Sequence, residues 1–214
     1  MAASPLPLYG FDIETDTSLD GLDPSLAPVV AAAVSTPDGD RVLLGDEAAL
    51  LERLDDLLAS LPPGLLVTWN GRCFDLPFVA CRAATLGVPM QLELWSDDEP
   101  PGSGPWPPPP GGYRGRWGAH GHLDGYSAFR ADVRRVLGLS CGLKAMARLV
   151  GLTPVEVDYE QLHLVDPDEL GAYVASDARL AAQLVARRLP AVLASVDRTG
   201  PRCPLRTLSP ARLG

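Results

Sequence analysis

Lysine is nearly missing from this chain: of its 18 basic residues, Lys144 is the only lysine. The other cations are guanidiniums, whose planar fork suits bidentate contact with phosphate or carboxylate. Cysteine is scarce, and the four present (Cys73, Cys81, Cys141, Cys203) show no CxxC spacing. That speaks against a disulfide-stapled secreted fold and for a reducing compartment. The N-terminus lacks a basic segment followed by an apolar stretch, so the expected location is the cytoplasm. Long hydrophobic runs are lacking too. "APVVAAAV", residues 27–34, is far too short to span a membrane, and no membrane partner is expected.

What is present suits one sizeable domain. The chain has 214 residues, 46% of them apolar, enough to bury a proper core. The expected organisation is a single domain over residues 1–197, interrupted at 97–112 by a Pro/Gly-rich stretch, with a loosely held Arg/Pro tail at 198–214. The net charge of −9 is unusual for a nucleic-acid binder, which normally carries a basic footprint. Its distribution says more. Residues 1–110 carry 4 basic against 17 acidic side chains, and residues 111–150 carry 7 against 2. Residues 151–177 carry none against 7, and residues 178–214 carry 7 against 1. Two basic segments alternate with two acidic ones, an arrangement that permits nucleic acid without diagnosing it.

Local patterns predict a mixed α/β domain. "LYGFDIET", "PVVAAAVS", "RVLLG" and "LLVTWN" read as strands, with "TPDGD" as a turn between the second and third. Asp46 caps an amphipathic helix, "EAALLERLDDLLASL", which ends at Pro62-Pro63-Gly64. "DLPFVACRAATLG" is a helix closed by Gly87. "DDEPPGSGPWPPPPGG" is a loop, since Pro and Gly dominate it. "HLDGYSAF" is expected as one further strand, then "RADVRRVLG" and "CGLKAMARLVG" as short helices. The last element is a long helix opened by Asp166-Pro167, with acids in its first turn as the helix dipole prefers.

The chemistry lies in the carboxylates. Residues two apart on a strand share a face, so Asp12 and Glu14 point one way while Phe11 and Ile13 point into the core. Two acids that close repel unless one is protonated or a cation sits between them. Asp75 opens a helix directly after a strand and a Gly-containing turn, a position that reaches the carboxyl end of a sheet. Asp177 lies midway along the last helix, with Tyr173 one turn before it on the same face. Mg²⁺ and Mn²⁺ favour oxygen ligands, and two such ions form a clamp for phosphoryl displacement.

"FDIET", Asn70-Gly71-x-x-Phe74-Asp75 and Tyr173-x-x-x-Asp177 resemble the three exonuclease motifs of the DEDD (DnaQ-like) superfamily. The resemblance is greatest to the proofreading 3′–5′ exonuclease domain of family B DNA polymerases. It covers roughly residues 6 to 190 and includes "GLSCGLKAMARLVG" before the third motif. It implies a ribonuclease H-like fold, a mixed β-sheet flanked by α-helices, and two divalent ions, Mg²⁺ or Mn²⁺. Asp12 would bridge both ions. Glu14 and Asp177 would hold the nucleophile-side ion, and Asp75 the second. Tyr173 would orient the attacking water. Another branch of the superfamily places His five residues before the last Asp; here that position is Ala172, so the Tyr branch is implied. Asn70, Phe74 and Thr15 would shape the site and contact the terminal nucleotide. The implied partner is a single-stranded 3′ end, most simply DNA, with a separate polymerase or repair complex as a further candidate.

Rival readings remain open at this point. The same acids serve 3′–5′ exoribonucleases, and the fold could be retained as a non-catalytic nucleic-acid-binding module. His120, His122 and Asp124 in "HGHLD" resemble part of a zinc-hydrolase run, but Gly125 stands where its last His belongs. Asp75 could instead be a helix N-cap. Arg114, Arg116, Arg130, Arg134 and Arg135 are candidates for guiding the strand, with Trp106, Tyr113 or Trp117 to stack on bases.

Overall fold

The structure is a computed structural model describing residues 6–96 and 105–199. Seven strands form one sheet in the order β3-β2-β1-β4-β7-β6-β5. They are β1 (Leu8–Thr15), β2 (Val29–Thr36), β3 (Gly39–Leu44), β4 (Leu65–Thr68), β5 (Leu92–Trp95), β6 (Arg114–Trp117) and β7 (His120–Asp124). β1, β4 and β7 run parallel, and the flanking strands pair antiparallel on both sides. The helices are α1 (Glu47–Ser60), α2 (Asp75–Leu86), α3 (Gly125–Phe129), α4 (Leu143–Leu149) and α5 (Pro167–Thr199). This is the expected α/β, ribonuclease H-like arrangement of a mixed sheet flanked by helices.

Alternation along β1 divides the molecule. Tyr9, Phe11 and Ile13 join the larger core with Leu50, Leu54 and Leu58 of α1 and Leu76, Phe78 and Val79 of α2. Gly10, Asp12 and Glu14 therefore face the opposite layer, where α5 packs. β2 matches this split. Ala31 and Ala33, in register with Glu14 and Asp12, pack against Tyr173, Val174 and Ala178 of α5. The run of alanines is thus a shallow bed that lets α5 approach the sheet. Gly10 takes this furthest, since a Cβ there would lie 1.9 Å from the Ala178 carbonyl oxygen.

Local signals act as expected at α1, where the Asp46 carboxylate accepts the Ala49 N–H at 3.1 Å. Three segments differ from expectation. "HLDGYSAF" divides, its first half finishing β7 and its second half turning into α3. Asp124 causes the change: its Oδ1 accepts the Ser127 N–H at 2.7 Å, the geometry of an N-cap. "RADVR" forms one π-helical turn instead of an α-helix. β5 and β6 appear where a loop and its flanks were expected, joined to β7 through the Gly118 turn. The expected loop at 97–112 lies within the described residues only from 105, and the tail only as far as 199. Among the described residues no helix is long and apolar enough to cross a membrane.

Candidate active site

Asp12, Glu14 and Asp177 converge at the carboxyl end of β1. Each offers a carboxylate oxygen, and these atoms all lie within 4.8 Å of one another. β1 supplies the first two on one face, and α5 lays Asp177 across them. At that spacing each pair of charges would repel by about 3 kcal/mol or more at an effective dielectric near 20. The groups respond by holding protons. Burial and the neighbouring Asp75, Glu14 and Asp177 push Asp12 well above the usual carboxylate range. Burial, Asp177 and Asp75 push Glu14 up to about 8, with Lys144 acting the other way. Burial raises Asp177 to about 6, again opposed by Lys144.

Asp75 stands beside this trio and adds to the repulsion on Asp12 and Glu14. It is the first residue of α2 and not its cap, a position taken by Phe74 without a side-chain hydrogen bond. Burial lifts Asp75 to about 7, while its own N–H and that of Ile13 hold it down and Asp124 raises it further. The turn before it needs Asn70 at φ +72°, a left-handed conformation that Asn tolerates. The Asn70 carbonyl accepts the N–H groups of Cys73 at 2.9 Å and Phe74 at 3.2 Å. Phe74 remains partly exposed beside Phe78.

Tyr173 is buried one turn before Asp177, in the layer formed by Ala31 and Ala33. Lys144, which sequence reasoning passed over as a site residue, joins them. Its Nζ lies 3.6 Å from Asp177 Oδ2 and 3.8 Å from the Tyr173 ring centroid. A usable signal existed, because a chain that otherwise uses Arg everywhere places its one Lys on α4. Its compact ammonium sits over the ring and beside the carboxylate at once.

Other expected site residues lie elsewhere or are otherwise engaged. Thr15 spends its hydroxyl on the Gly21 carbonyl at 2.6 Å, fixing the loop after β1. Arg114 and Arg116 stand on β6, separated from β1 by β4 and β7. Arg116 pairs with Glu93 of β5 at 2.5 Å. Arg130, exposed at the end of α3, lies one residue from Phe129, over which Arg188 of α5 sits at 4.9 Å. Of the three aromatics expected to stack on bases, two are buried and one is partly exposed. Trp117 and Tyr113 are buried, and Trp106 packs on Phe74 and Phe78.

The zinc alternative is corrected by the same geometry. His120 bonds the Leu58 carbonyl through Nε2 at 2.7 Å, and His122 Nε2 lies 2.8 Å from Thr68 Oγ1. Burial, assisted by Arg72, drives His122 down to about 3, so it stays neutral as part of the core. Among the described residues the only metal-capable group of three or more such side chains is Asp12, Glu14 and Asp177.

A mixed sheet with helices on both faces and a carboxylate cluster at the end of its first strand defines a ribonuclease H-like domain with an acidic site. The curated proteins it matches are DNA polymerases, and a solved structure of the same fold is a family B DNA polymerase. The chain is 33% identical over 137 residues to the catalytic polypeptide of DNA polymerase epsilon from Eremothecium gossypii, matching 62% of this chain and 6% of that protein. It is 30% identical over 88 residues to a DNA polymerase of Archaeoglobus fulgidus, covering 41% of this chain and 11% of that one. Among solved structures, the family B DNA polymerase of Pyrobaculum calidifontis superposes with a TM-score of 0.66 at 21% identity, over 90% of this chain and 26% of the other. The chain thus spans a small part of each relative. No protein-family model matches it.

Proposed function

We propose that the protein is a metal-dependent 3′–5′ exonuclease that removes nucleotides from single-stranded DNA and releases nucleoside 5′-monophosphates. The observation that carries this reading is the gathering of Asp12, Glu14 and Asp177 within 4.8 Å, with Asp75 beside them. The donor set fits hard divalent cations. Every ligand is a carboxylate oxygen, and Asp177 Oδ1 is buried with no hydrogen-bond partner. The raised proton affinities mark a site short of positive charge. Two ions such as Mg²⁺ or Mn²⁺, held by Asp12, Glu14, Asp75 and Asp177, would activate water and neutralise charge on the phosphate.

The remaining work falls to the chain. Water oxygen attacks phosphorus and releases a proton to solvent, the bond from phosphorus to the 3′ oxygen of the penultimate nucleotide breaks, and that oxygen takes a proton from solvent and leaves as a hydroxyl. Tyr173 borders the position of the attacking water and orients it. Lys144, between Tyr173 and Asp177, adds positive charge where the pentavalent phosphorus gathers negative charge. The partly exposed Phe74 and the adjoining Asn70 turn would receive the terminal nucleotide. The exposed Arg130, Arg134 and Arg135, with Arg188 nearby, form a basic face for phosphates further along the strand.

The test incubates the protein with 5′-labelled DNA and RNA single strands under Mg²⁺, Mn²⁺ or EDTA, beside an Asp12→Ala variant. A metal-dependent ladder shortening from the 3′ end of DNA, lost in the variant, is expected. Shortening of RNA alone would reassign the substrate. Strand binding without cleavage of either, from folded protein, would make this a binding module.

A further inference from the structure

The Pro/Gly-rich insertion between β5 and β6 touches the candidate site. Its second half, residues 105–113, lies along the turn carrying Asn70 to Asp75. The Trp106 ring stands edge-on to both Phe74 and Phe78, with centroids 6.3 and 5.8 Å apart and planes at 74° and 81°. The Tyr113 N–H donates to the Arg72 carbonyl at 2.8 Å, and the Gly112 N–H to that of Pro109 at 2.8 Å. Gly112 has φ +73°, and a Cβ there would lie 2.5 Å from the Arg72 carbonyl oxygen and 2.6 Å from Cys73 Sγ. The loop backbone therefore rests directly on the turn.

That turn gains outside support. A helix start is normally steadied by a Ser, Thr, Asp or Asn side chain bonding back to the first turn. α2 has Phe74 there, with φ −131°, ψ −77° and no side-chain cap. Asn70, four residues earlier, is left-handed, a conformation that Asn tolerates. Asp75 follows at once as the first, buried residue of α2. The loop adds its contacts to the turn's own hydrogen bonds, from the Cys73 and Phe74 N–H groups to the Asn70 carbonyl and from the Leu76 N–H to that of Gly71.

We propose that residues 105–113 are a positioning element for the carboxylate site, with Trp106 as its key side chain. By wedging against Phe74 and Phe78, Trp106 fixes the start of α2 and so the Asp75 carboxylate, without itself reaching metal or substrate. The inference rests on the metal site proposed above. It also explains why a Pro-rich segment suits this place: residues with few alternative backbone conformations make a stiff brace.

The test uses the full chain with Trp106→Ala, Trp106→Phe and Trp106→Leu. Mn²⁺ binding is read by the loss of the free-ion EPR signal, and kcat and KM are read on labelled single-stranded DNA. Support groups around a metal site typically change affinity by about 10–100-fold. Trp106→Ala is expected to weaken Mn²⁺ binding by about tenfold and to lower kcat/KM, its far-ultraviolet circular dichroism staying native. Trp106→Phe, which keeps a ring against Phe74, recovers most of both. If Trp106→Ala does not fold, Trp106→Leu, which keeps apolar bulk without a ring, is judged by the same two readouts. A folded Ala or Leu variant that binds Mn²⁺ like the wild type overturns the positioning role alone. Wild-type protein that binds no Mn²⁺ overturns the metal site, and this role with it.

Discussion

Gly10 lies directly against Ala178: a methyl group placed on Gly10 would sit 1.9 Å from the Ala178 carbonyl oxygen and 2.7 Å from its carbonyl carbon. Asp12 is two residues along the same face of β1, and Asp177 is the neighbour of Ala178. The Gly10–Ala178 contact therefore sets the distance between the carboxylates. Gly10→Ala must push α5 off the sheet. Overpacking of this kind costs about 1–3 kcal/mol, to be measured by urea denaturation. Mn²⁺ binding by the folded fraction should weaken as well. A variant with unchanged stability and unchanged binding would mean that this contact does not govern the site.

Asp12→Asn keeps the shape of the side chain and removes the acid that must either hold a proton or repel its neighbours. Metal-free protein carrying it should be as stable as the wild type at neutral pH or more so, by about 1 kcal/mol, because no attractive contact is lost. Turnover should vanish and Mn²⁺ binding fall steeply. Thermal unfolding in EDTA and in Mn²⁺ separates the two effects. A variant destabilised in EDTA would show that Asp12 contributes to packing instead.

The proton affinities predict how metal and pH interact. Glu14 at about 8, Asp75 at about 7 and Asp177 at about 6 all lie above ordinary carboxylate values. The folded state thus binds protons that the unfolded chain has released. Their contribution to stability is fully present below the unfolded values near pH 4 and is lost as pH rises through about 6 to 8. Divalent ions compete with those same protons. The rise in Tm on adding millimolar Mn²⁺ should be small near pH 5 and large near pH 8. A rise equal at both pH values would separate the metal from these carboxylates.

The site was legible in the sequence to the extent that it depends on local spacing. The two-residue interval in "FDIET" places Asp12 and Glu14 together on any strand, and the four-residue interval from Tyr173 to Asp177 places them together on any helix. Neither interval depends on tertiary contacts. The strand β6 was not legible, because "RGRW" follows a Pro/Gly stretch, is only four residues long, and pairs on one side with β5 across the insertion. The aromatics misled for a related reason. Trp106 and Trp117 are amphipathic, and only the fold shows whether such a ring faces solvent or core. Here the Trp117 Nε1–H donates to Asp55 at 2.7 Å, which locks β6 to α1. Lys144 was visible as an anomaly of composition, but its meaning required α4 to be seen beside α5.

Arg82 and Glu47 join α2 to α1 beneath the loop that follows the site strand. The pair is bidentate, with Arg82 Nε to Glu47 Oε1 at 2.8 Å and Nη2 to Oε2 at 2.6 Å. Both side chains are about nine-tenths buried. Arg82 Nη1 also donates to the Pro24 carbonyl at 2.9 Å, and Glu47 Oε1 accepts the Val29 N–H at 2.7 Å. The loop 16–28 and the start of β2 are thereby tied to both helices. Replacing Arg82 with Met fills similar volume but leaves Glu47 charged and buried, which costs about 3–5 kcal/mol. Adding Glu47→Gln in that background removes the stranded charge and should return part of the loss, a coupling that a double-mutant cycle measures directly. The Arg116–Glu93 pair supplies the contrast, since its carboxylate is more than half exposed. Breaking it should change stability by no more than about 1 kcal/mol. If Arg82→Met proved equally mild, loop 16–28 would have to be held by its other contacts, chiefly Thr15 to Gly21 and Thr17 to His163.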